Sequence, residues 1–378
     1  MESVVYIGMD VHKSSFNLCA LDSSSGEILG ETKCASDAKL VAKFVQHLSE
    51  ECEPNTQFLT GYEAGCLGYA LYRNLTKLGI PCVILAPTTM FSSAKNKMVK
   101  NDKMVKNDKM DAKMIAHNLA SHTYRSVYVP DQEDDEVKEY LRLRKAMAKN
   151  FSRVKQQLSA LLLRHGYQFS GTKTPWTHDH IQWIKKLSLS PLMRLTVDEY
   201  LVHFTELQDK IARYDQIIEE ISHNNRYEKP VAALMCFKGI STTSAMTIHV
   251  EIADFSRFAK APAFMSYIGL NPSEHSSGDH TKKGALTKQG NSIVRTTLIE
   301  STQSLVKGHI GEKPKCVRAR QKGQTAPIID YADKGVAHLQ RRYHRLIEQG
   351  KSKCVAIAAV ARELAGYIWG METGNINY

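Results

Sequence analysis

Four carboxylates in the first third of the chain occupy positions that restrict both the fold and the chemistry. Asp10 ends the apolar run that begins at Val4, and Glu63 ends a second apolar run. Asp108 and Asp111 lie three residues apart at the start of a helical pattern, so they share one helix face. Oxygen ligands without neighbouring His or Cys suit Mg²⁺ or Mn²⁺. Such a set can hold two divalent ions over one phosphodiester, which predicts nucleic-acid strand chemistry.

The order of the predicted elements before residue 130 is that of an RNase H-like domain. Three strands near 4–10, 16–21 and 27–32 are joined by short turns and predict an antiparallel meander. The elements that follow alternate between helix and strand: a helix near 40–48, a strand ending at Glu63, a helix near 67–78, a strand at 82–85 and a helix from Asp108. We therefore expect a mixed α/β domain of the RNase H-like type over residues 1–130.

The remainder of the chain has a helical pattern. Apolar residues recur at helical spacing over 137–161 and 204–218, with a loop between them, and this predicts a long coiled-coil arm over 131–228. A plain helical hairpin packed on a core fits the same periodicity equally well. Residues 229–378 are predicted to form a mainly α-helical C-terminal domain, with helices near 292–306 and over 330–369.

Charge and composition indicate the compartment and the class of partner. The chain has 50 Lys and Arg against 39 Asp and Glu, a formal net charge of +11, which favours a polyanionic partner. The longest apolar stretches, near Val250 and Ile357, are too short to cross a bilayer, and the N-terminus lacks the layout of a signal peptide. None of the eight cysteines forms a C-x-x-C pair, so neither a zinc site nor a disulfide framework is predicted. We expect a cytoplasmic protein without a membrane partner.

Two segments after residue 229 are candidate nucleic-acid contacts. The basic, glycine-rich segment 276–290 could contact phosphates, although a solvated loop is the commoner outcome for such a composition. A serine hydroxyl among cations is also where a nucleophile would be placed, an assignment that the residues alone support weakly. The turn near Gly239 resembles a helix-hairpin-helix element, whose backbone N–H groups hold a phosphate, or is a tight interhelical turn. The predicted nucleic-acid-binding residues are Gly239, Ile240, Gly278, Lys282, Lys283, Lys288, Asn291 and Arg295.

Short motifs spread over nearly the whole chain resemble those of a known family. In the N-terminal part they are Tyr6 to Lys13, Tyr62 to Gly65 and Asn107 to Ala112. In the C-terminal part they are Gly239-Ile240, Ser244-Ala245, Tyr267 to Pro272, Ser277-Gly278, Lys283-Gly284, Lys288, Gly290-Asn291 and Arg295. This set resembles the DEDD-type insertion-sequence transposases, relatives of the Piv pilin-gene DNA invertase, whose RNA-guided members are called bridge recombinases.

The resemblance implies a mechanism and partners. Asp10, Glu63, Asp108 and Asp111 are implied to be RuvC-like metal ligands, and Ser277 the covalent nucleophile of a C-terminal transposase domain. DNA would be cut and rejoined through a phosphoserine link with help from Mg²⁺ or Mn²⁺. The implied partners are element-end and target DNA, a guide (bridge) RNA, and further copies of the chain in a tetramer, a dimer of dimers. The implied location is the prokaryotic cytosol, near the nucleoid.

Three features depart from the family pattern. Ser241 stands where a second glycine is usual, and Ser276 precedes the implied nucleophile. A tandem hexad over 97–108 duplicates Asp108 at Asp102. Because six helical residues turn the chain by about 600°, Asp102 would point about 120° away from Asp108. It also lacks a carboxylate three residues on, so Asp108 is the better candidate.

Other functions share parts of this pattern. A hydrolytic junction resolvase would use the same carboxylates with water as nucleophile, but it leaves the C-terminal part unexplained. An actin-like ATPase or kinase also opens with Gly8-Met9-Asp10, but His12 and Lys13 stand where that fold needs phosphate-binding glycines. An inactive RNA- or DNA-binding protein would need only the basic surface.

Overall fold

A five-stranded mixed sheet forms the centre of the first unit of the chain in the computed structural model. The antiparallel meander consists of β1 (Val4–Val11), β2 (Ser15–Asp22) and β3 (Ile28–Ala35). The strands β4 (Gln57–Glu63) and β5 (Cys82–Leu85) run parallel to β1, which gives the order β3-β2-β1-β4-β5. This arrangement fits the RNase H-like fold that the sequence predicts.

The structure describes residues 4–65, 67–90, 108–171, 175–274 and 283–376. At Thr88, Asp108, Lys109 and Lys283 this description covers the backbone alone. The chain divides into two units, residues 1–129 and 130–378. Most of the loop that carries the tandem hexad, and the positions Ser276, Ser277, Gly278 and Lys282, lie outside the described residues.

Helices cover both faces of the sheet. The helices α1 (Ala38–Glu51) and α2 (Ala70–Lys77) pack on the face to which Val5, Ile7 and Met9 point. The opposite face carries α3 (Asp108–Ala120), whose Ile115 and Leu119 pack against residues of β1 and β5. Because successive strand side chains point to opposite faces, β1 contributes to both apolar clusters.

The second unit begins with two long antiparallel helices. They are α4 (Gln132–Arg164), of 33 residues, and α6 (Pro191–Ser222), of 32 residues. The short helix α5 (His178–Lys186) lies in the segment between them, which the sequence predicted to be only a loop. Near the far end of the pair, Leu158, Leu162, Ile184, Val197 and Leu201 form one buried cluster. At the near end, Leu141 and Ile218 belong to the core of the C-terminal helices.

The remaining elements in the described part of this unit are helical apart from one small hairpin. The helices are α7 (Glu228–Leu234), α8 (Thr242–Ile252), α9 (Ala261–Tyr267), α10 (Ser292–Leu305), α11 (Lys315–Gln321), α12 (Ala326–Glu348) and α13 (Lys353–Thr373). The hairpin pairs β6 (Pro272–Glu274) with β7 (Lys283–Leu286). The predicted helical stretch over 330–369 is interrupted by a turn at 349–352 and therefore forms two helices.

The helix α13 is more apolar than the sequence analysis allowed. Over its 21 residues it is long and apolar enough, by length and composition, to span a membrane. Half of its apolar window is buried inside the unit, and residues such as Val360, Leu364 and Ile368 belong to the buried core. Burial of this kind is typical of the central helix of a folded domain.

Candidate active site

Asp10 and Glu63 lie side by side at the ends of two adjacent parallel strands. The register of β1 and β4 ends at the pair Met9 and Tyr62, so the next residues along each strand are Asp10 and Glu63. Both continue the face that includes Gly8 on β1 and Gly61 on β4, since side chains alternate along a strand. The Asp10 side chain is 17% exposed, and Glu63 is exposed.

Two glycines allow α3 to lie directly on this face. Gly8 and Gly61 are paired across β1 and β4. A Cβ atom at Gly8 would lie 2.2 Å from the carbonyl oxygen of Ala112 and 2.3 Å from the amide nitrogen of Ala116. A Cβ atom at Gly61 would lie 2.9 Å from Leu119. Only residues without a side chain permit this contact, so the two strands and α3 are held at one fixed separation.

Asp111 continues the buried stripe of α3 by one turn. Ala112, Ile115, Ala116 and Leu119 are buried against the sheet. Asp111 precedes Ile115 by four residues and is half-buried, so it lies on the same side of the helix. Asp108 precedes Ala112 by four residues and begins the helix, although its side chain is outside the description. The helix therefore presents its first turn towards the strand ends that carry Asp10 and Glu63.

His12 contacts Asp10, and the spacing of these residues in the sequence did not indicate this contact. The imidazole Nε2 of His12 lies 3.0 Å from Oδ2 of Asp10. The contact arises because β1 and β2 are joined by a tight turn, in which the His12 amide donates to the Ser15 carbonyl oxygen at 3.0 Å.

Tyr62 fixes the segment that follows Glu63. Its side chain is fully buried on the other face of the sheet, and its hydroxyl donates to the Gly68 carbonyl oxygen at 3.0 Å. The same hydroxyl accepts from the Tyr72 amide at 3.3 Å. Burial raises the pKa of Tyr62 well above its ordinary value, which keeps the hydroxyl protonated as a donor.

The donor chemistry of the carboxylates fits a divalent cation, whereas the described side chains do not by themselves complete a site. Hard carboxylate oxygens at two strand ends and on one helix face are the ligands that Mg²⁺ and Mn²⁺ prefer. Among the side chains described, which exclude that of Asp108, no group of three or more His, Cys, Asp or Glu residues is close enough to hold a metal ion.

In the second unit, the hairpin of β6 and β7 brackets the segment that carries the predicted nucleophile. Pro272 pairs with Leu286 and Glu274 with Lys283, so both ends of the sequence 275–282 are held by paired strands. After β7 the chain passes closely under α9, because a Cβ atom at Gly290 would meet the Tyr267 carbonyl oxygen at 1.7 Å. The backbone flanking residues 275–282 is therefore tightly packed.

Three of the predicted nucleic-acid-binding residues after this hairpin can be placed. Asn291 caps α10, since its Oδ1 accepts from the amides of Ile293 and Val294 at 2.9 and 3.0 Å. The Arg295 guanidinium donates to the carbonyl oxygens of Ile268 and Gln289 at 2.8 and 3.0 Å. Lys288 adopts a positive φ of 54°. These contacts give Asn291 and Arg295 structural roles, and their contact with nucleic acid stays a prediction.

A buried carboxylate joins the cap of α10 to the long helix α4. Glu251, at the end of α8, is 6% exposed and accepts from Arg142 Nε at 2.8 Å and from Asn291 Nδ2 at 2.8 Å. Lys138 is also buried, and its burial lowers its pKa while Glu251 opposes that shift. Lys145 donates to the Ile293 carbonyl oxygen at 3.4 Å. Sequence spacing gave no sign of this network, because Arg142 and Glu251 are 109 residues apart.

The turn near Gly239 is more enclosed than a phosphate-binding turn requires. Ile240 is fully buried, and its amide donates to the Phe237 carbonyl oxygen at 3.2 Å. Gly239 has a φ of 90°, and a Cβ atom there would meet the Ser301 carbonyl oxygen at 2.4 Å. Ser241 has an ordinary φ of −95° and caps α8, so this position does not require the second glycine.

Comparison with known proteins identifies the family. Residues 7–166 match the family model DEDD_Tnp_IS110, described as a transposase, and residues 231–314 match that of the transposase IS116/IS110/IS902 family. The chain is 30% identical over 370 residues to "Putative transposase y4qE" of Sinorhizobium fredii, covering 97% of this chain and 88% of that protein. This chain belongs to the IS110 family of DEDD transposases.

Further relatives carry insertion-sequence names. The transposase is 29% identical over 348 residues to the transposase for insertion sequence element IS1533 of Leptospira borgpetersenii, covering 92% of this chain and 97% of that one. It is 22% identical over 317 residues to the transposase for IS1111A of Coxiella burnetii, covering 83% and 80% respectively. The transposase is therefore an enzyme that cleaves and rejoins DNA, as the sequence motifs predicted. The family assignment favours this function over the ATPase and the inactive-protein alternatives.

Proposed function

We propose that this transposase cuts and rejoins DNA through a phosphoserine intermediate on Ser277, with a divalent cation at Asp10, Glu63, Asp108 and Asp111. The observation that carries the proposal is that Asp10 and Glu63 each follow the last register pair of two adjacent parallel strands, on the sheet face against which α3 packs. A cation bound there would stabilise the negative charge on the departing oxygen. Mg²⁺ is the expected ion and Mn²⁺ the alternative.

The covalent step balances as a transesterification. The Ser277 hydroxyl loses its proton, its oxygen bonds to phosphorus, and the bond from phosphorus to the 3′ oxygen breaks. The 3′ oxygen leaves as a hydroxyl after taking up a proton. A 3′ hydroxyl from another strand then attacks the phosphoserine, which restores the serine and joins the new strand. No external energy source is required, because one phosphodiester bond forms for each one that breaks.

The flanks of the serine segment support this assignment. The pairing of β6 with β7 and the close packing at Gly290 hold both ends of the sequence 275–282. Lys282, Lys283 and Lys288 lie within or beside that segment in the sequence and would bind the phosphates of the cleaved strand. Gly239 and Ile240 would act through the shape of their turn, because the Ile240 amide is already occupied.

A tetramer and a guide RNA complete the proposal. In this arrangement the RuvC-like domain of one protomer meets the serine domain of another, and the coiled-coil arm of α4 and α6 joins the protomers. The outer side of α6 carries exposed Leu192 and Leu195, at 75% and 63%, with Val202 seven residues further at 53%. Apolar residues at this spacing on an exposed helix face are typical of helix pairing between subunits. The RNA would select the target by base pairing.

Trapping the covalent intermediate tests the proposed chemistry. The full-length transposase is incubated with element-junction DNA, guide RNA and Mg²⁺, and a protein–DNA adduct is sought on a denaturing gel. We expect an adduct from the parent and from Ser276→Ala, and none from Ser277→Ala. Persistence of the adduct in Ser277→Ala would reject that nucleophile. Strand cleavage by the parent without any adduct would favour the hydrolytic resolvase.

The tandem hexad supplies a matched control for the metal ligands. Asp108→Asn and Asp111→Asn are expected to abolish cleavage while leaving DNA binding intact. Asp102→Asn makes the same chemical change six residues earlier, and it is expected to retain cleavage. Equal loss in Asp102→Asn and Asp108→Asn would contradict the assignment of Asp108.

A further inference from the structure

Positive charge is concentrated in one segment near the C-terminus. Residues 313–353 contain eleven Lys and Arg and three Asp and Glu, so they carry eight of the eleven excess positive charges of the chain. The rest of the chain is close to neutral. The second family match ends at residue 314, so neither family match covers the bulk of this segment.

The cations of α12 form a stripe on its outer face. Lys334, His338, Arg341 and Arg345 follow one another at steps of four, three and four residues, which places them on one side of the helix. All four are exposed. The opposite side of α12 is buried, with Val336 and Leu339 in the core of the unit. We call these four residues the basic stripe.

The helix α11 adds further cations beside the first half of α12. Gln321 on α11 donates to Asp333 Oδ1 at 2.9 Å, and Lys313 forms an ion pair with the same carboxylate. Asp333 precedes Lys334 of the basic stripe in the sequence. Lys315, Arg318 and Lys322 of this neighbouring segment are exposed.

The inward-facing cations of this segment have partners in the protein, whereas three members of the basic stripe have none among the described residues. Arg342 pairs with Glu363 at 3.2 Å, and Arg320 donates to the Ile240 carbonyl oxygen at 2.8 Å. Within the stripe, His338 pairs with Glu363 at 3.2 Å. In the part of the chain that the structure describes, Lys334, Arg341 and Arg345 form no ion pair. Protein carboxylates therefore leave most of the stripe uncompensated.

Helix electrostatics explains only part of this pattern. Arg345 lies in the last turn of α12, where a cation interacts favourably with the helix dipole. Lys334 lies in the middle of the helix, and Lys315 and Lys353 begin α11 and α13, where a cation is unfavourable. Arg341 and Arg345 also repel each other at a spacing of four residues. Acidic residues stand at both ends of the stripe, at Asp330 and Glu348, but not within it.

We propose that the basic stripe and the exposed cations of α11 form a binding surface for the phosphate backbone of a nucleic acid. The eleven helical steps from Lys334 to Arg345 span about 16 Å along the helix. Over that distance along its axis, a DNA double helix presents about ten phosphates. The surface reads charge and spacing rather than bases, and it positions nucleic acid on the second unit. It acts in addition to the segment around Ser277.

Salt-dependent equilibrium binding tests this surface without relying on the serine chemistry. The full-length transposase and the variant K334Q/R341Q/R345Q are titrated with a short DNA duplex and, separately, with an RNA hairpin, over a range of salt concentrations. The control K39Q/K43Q/K77Q removes three equally exposed lysines from the first unit and changes net charge by the same amount. Thermal unfolding checks that all three proteins remain folded.

We expect the stripe variant to bind with lower affinity. The slope of the logarithm of the binding constant against the logarithm of salt concentration should fall in magnitude by about 2 to 3, because each phosphate contact contributes about 0.9 for duplex DNA. The control is expected to keep the parental salt dependence. The probe that shows the decrease identifies the bound nucleic acid as DNA or RNA. An unchanged salt dependence with both probes, or an equal decrease in the control, would overturn the proposal.

Discussion

Replacing Gly8 with alanine tests how closely the geometry of the proposed active site depends on the contact between β1 and α3. The new Cβ atom would lie 2.2 Å from the Ala112 carbonyl oxygen and 2.3 Å from the Ala116 amide nitrogen. Both neighbours are helix backbone, so no flexible side chain can move aside. Restoring ordinary van der Waals contact requires α3 to move away from the sheet by about 1 Å.

That displacement moves Asp111 and the start of α3 relative to Asp10. A misplacement of about 1 Å in a catalytic group costs about 100-fold in rate. Overpacking of this kind also costs about 1–3 kcal/mol of unfolding free energy. We therefore expect Gly8→Ala to reduce DNA cleavage by about 100-fold or more under conditions in which it remains folded, and to raise the metal concentration required for cleavage.

The same sheet provides a matched control at Gly30 on β3. A Cβ atom there would lie 3.5 Å from Phe44 and 3.6 Å from Leu48, both ordinary contact distances. Cleavage rates of Gly8→Ala and Gly30→Ala are compared at temperatures where circular dichroism shows both to be folded. Parental cleavage by Gly8→Ala, or an equal loss in Gly30→Ala, would refute the argument that the close approach of α3 sets the carboxylate geometry.

Three further perturbations have defined outcomes. Tyr62→Phe removes two buried hydrogen bonds and should lower the free energy of unfolding, measured in urea, by about 1–3 kcal/mol. Cleavage should also weaken, because the segment after β4 loses its anchor. Unchanged stability would argue against that anchoring role. Glu251→Ala removes a buried carboxylate from Arg142, which keeps its pair with Glu139, and should lower the free energy of unfolding by about 1–3 kcal/mol, measured by thermal unfolding. Glu251→Gln should recover part of this loss, and unchanged stability in Glu251→Ala would show the network to be dispensable. Burial lowers the pKa of His180 on α5, so the unfolded chain takes up this proton at a higher pH than the folded chain does. The folded state around α5 should therefore lose stability as the pH drops below about 6.5. The fluorescence emission of the tryptophans beside His180 should shift to longer wavelength between about pH 7.5 and 5.5. Trp369→Phe is the control and should show the same shift, whereas constant emission would contradict this prediction.

Much of the first unit could be predicted because its signals are local. The apolar runs before Asp10 and Glu63 predicted β1 and β4, and the alternation of strand and helix patterns predicted the order of the elements along the chain. The contact between His12 and Asp10 could not be predicted, because it depends on the geometry of a tight turn rather than on ligand spacing.

The second unit was less predictable because its contacts are long-range or its elements short. The two long helices have a strong periodic pattern, whereas α5, at nine residues, and the small hairpin of β6 and β7 do not. Asn291 and Arg295 have polar side chains that could bind a phosphate, but in the structure the same side chains form hydrogen bonds with the protein backbone. The pairing of Arg142 with Glu251 has no local signal, since neither residue departs from an ordinary helix pattern.

The alternation of side chains along β1 has a consequence for how such an enzyme can change during evolution. Its eight consecutive residues alternate between two environments: the even positions face α3, and the odd positions fill the core beneath α1 and α2. A substitution at one position alters only one of these two faces of the strand. Inserting or deleting a single residue within the strand would reverse both at once, burying Asp10 and exposing its apolar neighbours. Length changes in surviving relatives should therefore fall in the loops around β1 and not within it.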